Sequence, residues 1–521
     1  MLEREKIIFF DTSNLTKTKE IEARTNCAWL RSALSDRDDL GEIVIDEVSV
    51  ITDGIYHTKK GFLGKILGKK LTGLPPFCEV KLRHKTGDFY EKIILWTPLA
   101  WNGRFATTAG GGTGIGGASY ITIPDNTTRG WTMGLALMNG FSVVTADAAN
   151  VDGIHDYMLE PDTHELRYDL YENWRVRTTH NMTIIGKVVT ELLHQRPVKY
   201  SYINGGSGGG RQTMMAVQNY PEDFDGAWAS CPAIYWPKFL LGGLWMTAMM
   251  QERGHVLVPE KLKFFTEKAR EIAGGDEAFY KRKAMVEFQP YDYVGHETKK
   301  GVITEKDAQI MTDILGGAKD RDGKRLFPLF RPGVQFWQVG IPIGAMYYSL
   351  IKKKPKLFVV STNYLRWVTG NPKQKFEDID LNGFYELYEA STTRFADAMG
   401  DNTELSEFYR RGGKLMIDHG INDPLIPVDG TIGYFQKLRE TMGQENCEDF
   451  VRLYLTPGDG HGNCWDKGPG LTMCSGMKAL MDWVEKGQAP EALRAVRVAK
   501  GTGAFIEETK ISPVNDISEY Q

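Results

Sequence analysis

Residues 200–217 read YSYINGGSGGGRQTMMAV. An apolar run rich in aromatic and β-branched side chains, Tyr200 to Ile203, leads into a glycine-rich turn carrying a single serine, and the chain beyond it can be helical. Gly205, Gly206, Ser207, Gly208 and Gly209 satisfy GxSxG, in which small neighbours let a strand and a helix approach while the serine sits on the sharp turn between them. Two plainer patterns share these glycines: a flexible turn, and an anion-cradling loop at a helix N-terminus. A phosphate loop wants a lysine behind its glycines, and Arg211 and Gln212 occupy that region instead. The strand before and the helical stretch after favour Ser207 as a nucleophile.

A serine hydroxyl attacks only when a base takes its proton and a third group orients that base. On a strand–turn–helix nucleophile the chain order is serine, acid, histidine, so partners are sought C-terminal to Ser207. The late histidines are His296, His419 and His461. His296 falls in a middle segment unlike the rest of the chain, and His419 ends the strand KLMID only four residues before the best acid. His461 lies in PGDGHGN, a glycine-rich loop just past the strand FVRLYL, where an imidazole would sit at a strand's carboxyl end. It is the expected base. Asp423, in the loop HGINDPLIP, is the expected acid, with Asp418 and Asp459 as alternatives; an aspartate before proline is also an ordinary turn former. The oxyanion needs two preorganised N–H donors. Gly208 supplies one, and Gly111 or Gly112 in AGGGTGIGG (109–117) the other, unless that loop is a simple turn or anion loop.

The flanking pattern is strand, helix, strand, which implies a parallel sheet. GFSVVTADA (140–148) precedes a helical stretch at 174–194 and the strand at 200. GGKLMIDHG (412–420), IGYFQKLRETM, FVRLYLTP and MKALMDWVEKG repeat the alternation near the C-terminus. EIVIDEVSVIT, CEVKLRH and FYEKIILWTP make a strand-rich entry before residue 104. A length of 521 residues exceeds one ordinary core. The expected fold is α/β, with residues 1–233 and 397–521 forming a discontinuous catalytic core on a mainly parallel sheet. Residues 234–396, rich in Trp, Met, Tyr and Lys, form a large inserted lid with helices at EKLKFFTEKAREIA and EKDAQIMTDILGG. Trp236 and Trp245 within it either line an aromatic acyl pocket or belong to the lid's own core.

A formal net charge of −4 with dispersed Lys and Arg argues against nucleic acid as a partner, and no apolar run reaches the ~20 residues a membrane helix needs. MLEREKIIFFDTSNL lacks a long apolar stretch and a small-residue cleavage site, so it does not read as a signal peptide and the expected location is cytoplasmic. Cys27, Cys78, Cys231, Cys447, Cys464 and Cys474 show no CxxC spacing and are expected to be structural bystanders. No metal or other cofactor is expected. The sequence is silent on oligomeric state.

WNGRFATTAGGG, WRVRTTHNMTIIGKVV, YSYINGGSGGGRQTMMAVQNYPEDFDG, KRLFP, GGKLMIDHGINDPLIP, PGDGHG and MDWVEKGQAPE together resemble the tannase and feruloyl esterase family, which includes mono(hydroxyethyl) terephthalate hydrolase. The resemblance implies an α/β-hydrolase core with a large lid, hydrolysis of small-molecule esters of hydroxylated aromatic acids through an acyl-enzyme, and a triad at Ser207, Asp423 and His461. Three departures stand out. The family places a disulfide-bonded cysteine pair beside the serine and the histidine, where this chain has Gly206 and Gly462. Its calcium loop has no counterpart in EIAGGDEAFYKRKAMVEF, and Asp320-Arg321-Asp322-Gly323 lacks further carboxylates, so no calcium is expected. Members are usually secreted, and Cys27 and Cys78 resemble a pair bridged in the family, which keeps a secreted origin open beside the cytoplasmic one. Competing functions are an acyl-transfer or carbon–carbon bond hydrolase using the same triad on an intracellular metabolite, and a non-catalytic binding protein of the same fold.

Overall fold

The structure, a computed structural model, describes residues 21, 24–57, 70–112, 131–149, 158–339, 344–462, 468–499, 502 and 504–521. Its centre is a nine-stranded sheet made of β1 (Ile43–Ile51), β2 (Phe77–Thr86), β3 (Phe89–Pro98), β4 (Arg104–Thr108), β5 (Ser142–Ala146), β6 (Tyr200–Gly206), β7 (Gly226–Ser230), β8 (Lys414–Gly420) and β9 (Val451–Thr456). The spatial order is β1-β2-β3-β5-β4-β6-β7-β8-β9. The first three strands form an antiparallel edge, and β3 meets β5 antiparallel. From β5 through β4, β6, β7 and β8 to β9 every pairing is parallel.

Parallel strands need both faces covered, and the side chains alternate accordingly. Ile203, Ala227, Ala229, Leu415, Ile417, Leu453 and Leu455 enter one apolar layer. Their neighbours Tyr202, Trp228, Met416 and Tyr454 enter the other. Helix α1 (Thr178–His194) packs Met182, Ile185 and Val189 against Phe105 and Val144. A π-helical turn at Asn173–Arg177 leads into α1. Helix α2 (Gly208–Asn219) follows the serine turn. The helix at Met473–Lys486 covers the second face with Met477, Leu480 and Met481, and Glu485 in its last turn accepts from Tyr202 Oη (2.7 Å) and Arg104 Nε (2.7 Å).

Between β7 and β8 none of the described residues joins this sheet. It runs through α3 (Trp236–Glu252) and helices at Pro259–Ile272, Glu305–Leu315, Val359–Thr369 and Leu381–Arg394, with short strands paired only among themselves. One of those pairs, Trp337–Val339 with Met346–Ser349, is parallel, which the sequence did not foretell. Three of the helices were also illegible. In α3 apolar residues run almost all the way round, as expected of a helix buried on every side, so no stripe marks it.

Candidate active site

Ser207 joins the buried end of β6 to the first turn of α2 with φ +63° and ψ −123°. A non-glycine residue rarely adopts that conformation, and it costs about 1–3 kcal/mol unless the surroundings impose it. Here they do. Ser207 N–H donates to the Ser230 carbonyl (3.0 Å), and the Ser207 carbonyl accepts from Arg211 N–H (3.1 Å) and Ala233 N–H (3.1 Å). The side chain stands at the carboxyl end of the parallel strands with 7% of the residue exposed.

The glycines on the far side of the turn explain themselves by what they touch. A Cβ on Gly208 would lie 2.1 Å from the Gly112 carbonyl oxygen, and one on Gly209 would lie 1.8 Å from that of Gly110. The loop following β4 is therefore seated against the start of α2, with Gly110 N–H donating to Gln212 Oε1 (3.1 Å). The structure brings Gly111 and Gly112 to the neighbourhood of Gly208; residues 113–117 of the same loop lie outside the described residues.

Asp423 is fully buried in the turn after β8. Its Oδ1 accepts the N–H groups of Leu425 (2.8 Å) and Ile426 (2.9 Å). Its Oδ2 accepts from His461 Nδ1 (2.7 Å) and from His419 Nε2 (3.1 Å). His419 Nε2 also faces the Ile426 carbonyl (3.2 Å), so both its partners are acceptors and that nitrogen carries the proton, leaving Nδ1 to accept from Thr431 Oγ1 (2.9 Å). Burial alone would raise the Asp423 carboxyl, but the charge of His461 and the two imidazole N–H donors hold it far below the usual carboxylate range. Burial likewise opposes a charge on His461, yet the Asp423 carboxylate and the Cys231 sulfur outweigh it and raise the imidazole well above its ordinary value. His461 Nε2 is sealed from solvent and has no hydrogen-bond partner among the described residues, so the link to Ser207 Oγ is not closed in this conformation.

Ser207 and His461 converge on the loop 230–233 after β7. Both neighbours in that loop, Ser230 and Ala233, bond to the Ser207 backbone, and between them Cys231 places its sulfur within 4.8 Å of donor atoms of both His461 and Asp423. Expected to be a bystander, it instead lies beside the acid and the histidine, because the residue after the strand adjoining the serine strand ends at the same corner. Asp418, one of the alternative acids, faces β7, accepting from Trp228 Nε1 (2.7 Å) and Ser230 Oγ, and its carbonyl accepts Cys231 N–H (2.6 Å). Asp459 accepts Gly460 N–H (3.0 Å) and Asn422 N–H (3.0 Å), shaping the loop before His461. His296 is exposed, with Nδ1 against the Tyr293 carbonyl (3.1 Å). His419, set aside as a base on chain order, was missed as a partner of the acid; the i, i+4 spacing to Asp423 was the available signal.

Trp236 and Trp245 lie in α3, 1% and 4% exposed. Trp236 packs edge-on against Trp174 and Phe239. Trp245 packs on Phe384 and donates to the Asp313 carbonyl (2.9 Å). This is the packing of a core. Asp320 sits in a turn between two short strands, its Oδ1 taking the N–H groups of Asp322 (3.0 Å) and Lys324 (2.8 Å). Cys27 and Cys78 are unbridged, and burial, then Glu79 and Cys27, push the Cys78 thiol up to about 12. Cys464 lies outside the described residues.

Residues 84–516 match the family described as tannase and feruloyl esterase. The chain belongs to that family. A probable feruloyl esterase of Arthroderma benhamiae is 33% identical over 452 residues, covering 82% of this chain and 80% of the relative. A probable feruloyl esterase B-2 of Aspergillus terreus is 26% identical, covering 83% and 81%. Among solved structures, feruloyl esterase B from Aspergillus oryzae superposes with TM-score 0.75 at 18% identity, over 95% of this chain and 96% of that one. Tannin acyl hydrolase from Aspergillus niger superposes with TM-score 0.76 at 18% identity, over 96% and 94%. The fold is that of the α/β-hydrolases, and the chain is a carboxylic-ester hydrolase.

Proposed function

We propose that Ser207, His461 and Asp423 form the catalytic triad of an esterase that cleaves esters of hydroxylated aromatic acids through an acyl-enzyme. The observation that carries the triad is the pairing of a serine forced to φ +63° at the end of β6 with an Asp423–His461 hydrogen bond of 2.7 Å at the same sheet edge. The substrate class rests on the family and on relatives named feruloyl esterase and tannin acyl hydrolase. An open serine–histidine contact is common in unliganded hydrolases and closes on binding substrate.

In the first step Ser207 Oγ attacks the ester carbonyl carbon as its proton passes to His461 Nε2, and Asp423 stabilises the imidazolium. The oxyanion is held by the N–H of Gly208 and by an N–H of the Gly111–Gly112 segment seated against it. Collapse expels the alcohol, which takes the proton from His461. Water then repeats the sequence on the acyl-enzyme and frees the acid and Ser207. The segment 234–396 acts as a lid over this edge. The buried Trp236 and Trp245 support it from within, and its less buried surface near Ser207 sets the acyl specificity.

Labelling with a fluorophosphonate and peptide mass spectrometry tests the nucleophile: the wild type is expected to carry the adduct on Ser207 and Ser207→Ala none. A panel of gallate, cinnamate, benzoate and short alkyl esters tests the substrate class. Turnover confined to the alkyl esters would remove the aromatic assignment while leaving the triad.

A further inference from the structure

The corner beside the triad holds a sulfur, an imidazole nitrogen and a carboxylate close together, and acyl transfer has no use for the sulfur. Cys231, His461 and Asp423 each offer a donor atom, all within 4.8 Å of one another. Cys231 is wholly buried, and its backbone is held at a left-handed φ of +34°, pinned by its N–H to the Asp418 carbonyl (2.6 Å). The backbone that carries the thiol belongs to the loop that also bonds the Ser207 backbone. His461 Nδ1 is committed to Asp423, whereas Nε2 is buried and has no hydrogen-bond partner among the described residues.

From this juxtaposition we infer that Cys231 and His461, backed by Asp423, form a binding site for a thiophilic divalent cation, zinc above all. Thiolate and imidazole select zinc and its softer neighbours over calcium and magnesium, which want oxygen donors. A carboxylate hydrogen-bonded to the other nitrogen of a metal-binding histidine fixes its ring and raises its donor strength, which is the place Asp423 occupies. Both Asp423 oxygens are already engaged, so it serves from behind the imidazole, or as a third ligand at the expense of one of those bonds. On binding, the Cys231 thiol and the His461 imidazolium each release a proton to solvent, the sulfur and the freed His461 Nε2 each donate a pair to the cation, and no redox change occurs. Water or Ser207 Oγ completes the shell.

The consequence rests on the proposed triad: the nitrogen that binds the metal is the one that must accept the Ser207 proton. Occupancy therefore switches hydrolysis off, and removal of the cation restores it. This is an inhibitory site and not a cofactor site.

The test uses the full chain stripped with a chelator, with zinc for binding and inhibition and cobalt as a coloured substitute. One zinc per chain is expected by calorimetry, with competitive loss of ester hydrolysis reversed by chelator. Cobalt is expected to give a sulfur-to-metal charge-transfer band in the near ultraviolet. Cys231→Ala is expected to lose the cobalt band and to weaken zinc inhibition by at least about 100-fold, while still hydrolysing ester in chelator. Cys231→Ser is expected to fall between the two. Wild-type protein that gives no cobalt–thiolate band, or a Cys231→Ala variant inhibited by zinc as strongly as wild type, overturns the site. Should no ester be turned over at all, the band and the calorimetry still decide the metal site, and the failure falls on the proposed function alone.

Discussion

At the scale of single residues, the decisive group is Asp423, whose one oxygen serves two histidines. A base must be neutral to accept the Ser207 proton, and the carboxylate raises the proton affinity of His461 well above the ordinary histidine value. Activity is therefore lost as pH falls through a value above about 6.5, higher than an unperturbed imidazole would set. The acid limb of a kcat/KM profile measures it directly. The N–H of His419 draws off part of the charge on the shared oxygen. Without it His461 binds its proton more tightly, so His419→Ala is expected to move the limb further up and to lower kcat by about 10- to 100-fold, the loss of one hydrogen bond to a charged group. His419→Gln, which retains an N–H donor, recovers part of both. A limb that stays put in His419→Ala assigns His419 to packing alone. The placement of Ser207, Asp423 and His461 on turns at the carboxyl ends of strands was legible, because each turn follows a strand that its own sequence marks. The bond of His419 to Asp423 was overlooked despite its i, i+4 spacing, and the approach of Cys231 to His461 could not be read, because it joins segments distant in sequence.

At the scale of elements, β6, its turn and α2 could be read locally, and so could the alternating strands and helices at both ends of the chain. What local pattern cannot encode is the approach of two loops distant in sequence. The Gly110–Gly112 segment was expected to supply an oxyanion donor from its glycines alone, but nothing in the sequence said that it sits on the start of α2, where no side chain fits at Gly209. Gly209→Ala places a Cβ 1.8 Å from the Gly110 carbonyl oxygen, against backbone that has nowhere to fold away. The glycine loop must shift, and a displaced oxyanion donor costs about 10²- to 10³-fold in kcat. KM should change far less, because the donor acts on charge that develops only in the transition state. Gly433→Ala is the matched control. It lies in the helix at Val428–Met442, its added Cβ meets nothing within 4 Å, and it should leave kcat unchanged. Equal losses in both variants would mean that the glycine loop does not hold the oxyanion.

At the scale of the whole molecule, the question is what joins the long insertion to the core at the helix that follows Ser207. In the sequence Arg211 is merely a residue standing where a phosphate loop would have lysine. In the structure its guanidinium is wholly buried. It lies 4.0 Å from the Trp174 ring and 5.7 Å from that of Trp236. It donates to the carbonyls of Trp174 (3.0 Å), Ala398 (3.2 Å) and Arg175 (3.3 Å). Gln218 on the same helix donates to the Gly400 carbonyl (2.8 Å), and Gly400 N–H donates to Ile234 (2.9 Å). One side chain four residues past Ser207 thus grips the π-helical turn before α1, the first helix of the insertion and the point where the chain returns from it. Because a buried carbonyl stripped of its donor costs about 1–3 kcal/mol and a cavity adds to that, Arg211→Ala should lower unfolding free energy by roughly 3–5 kcal/mol. Arg211→Met fills the volume between the two indoles but supplies no N–H, so it should recover only the cavity part. Urea unfolding followed by tryptophan fluorescence separates the contributions. If Arg211→Met is as stable as wild type, the stacked tryptophans hold the seam without the cation. If it remains close to Arg211→Ala, the carbonyl bonds to the π-helical turn and to Ala398 are what hold the helix after Ser207 to the turn before α1 and to the point where the chain returns from the insertion.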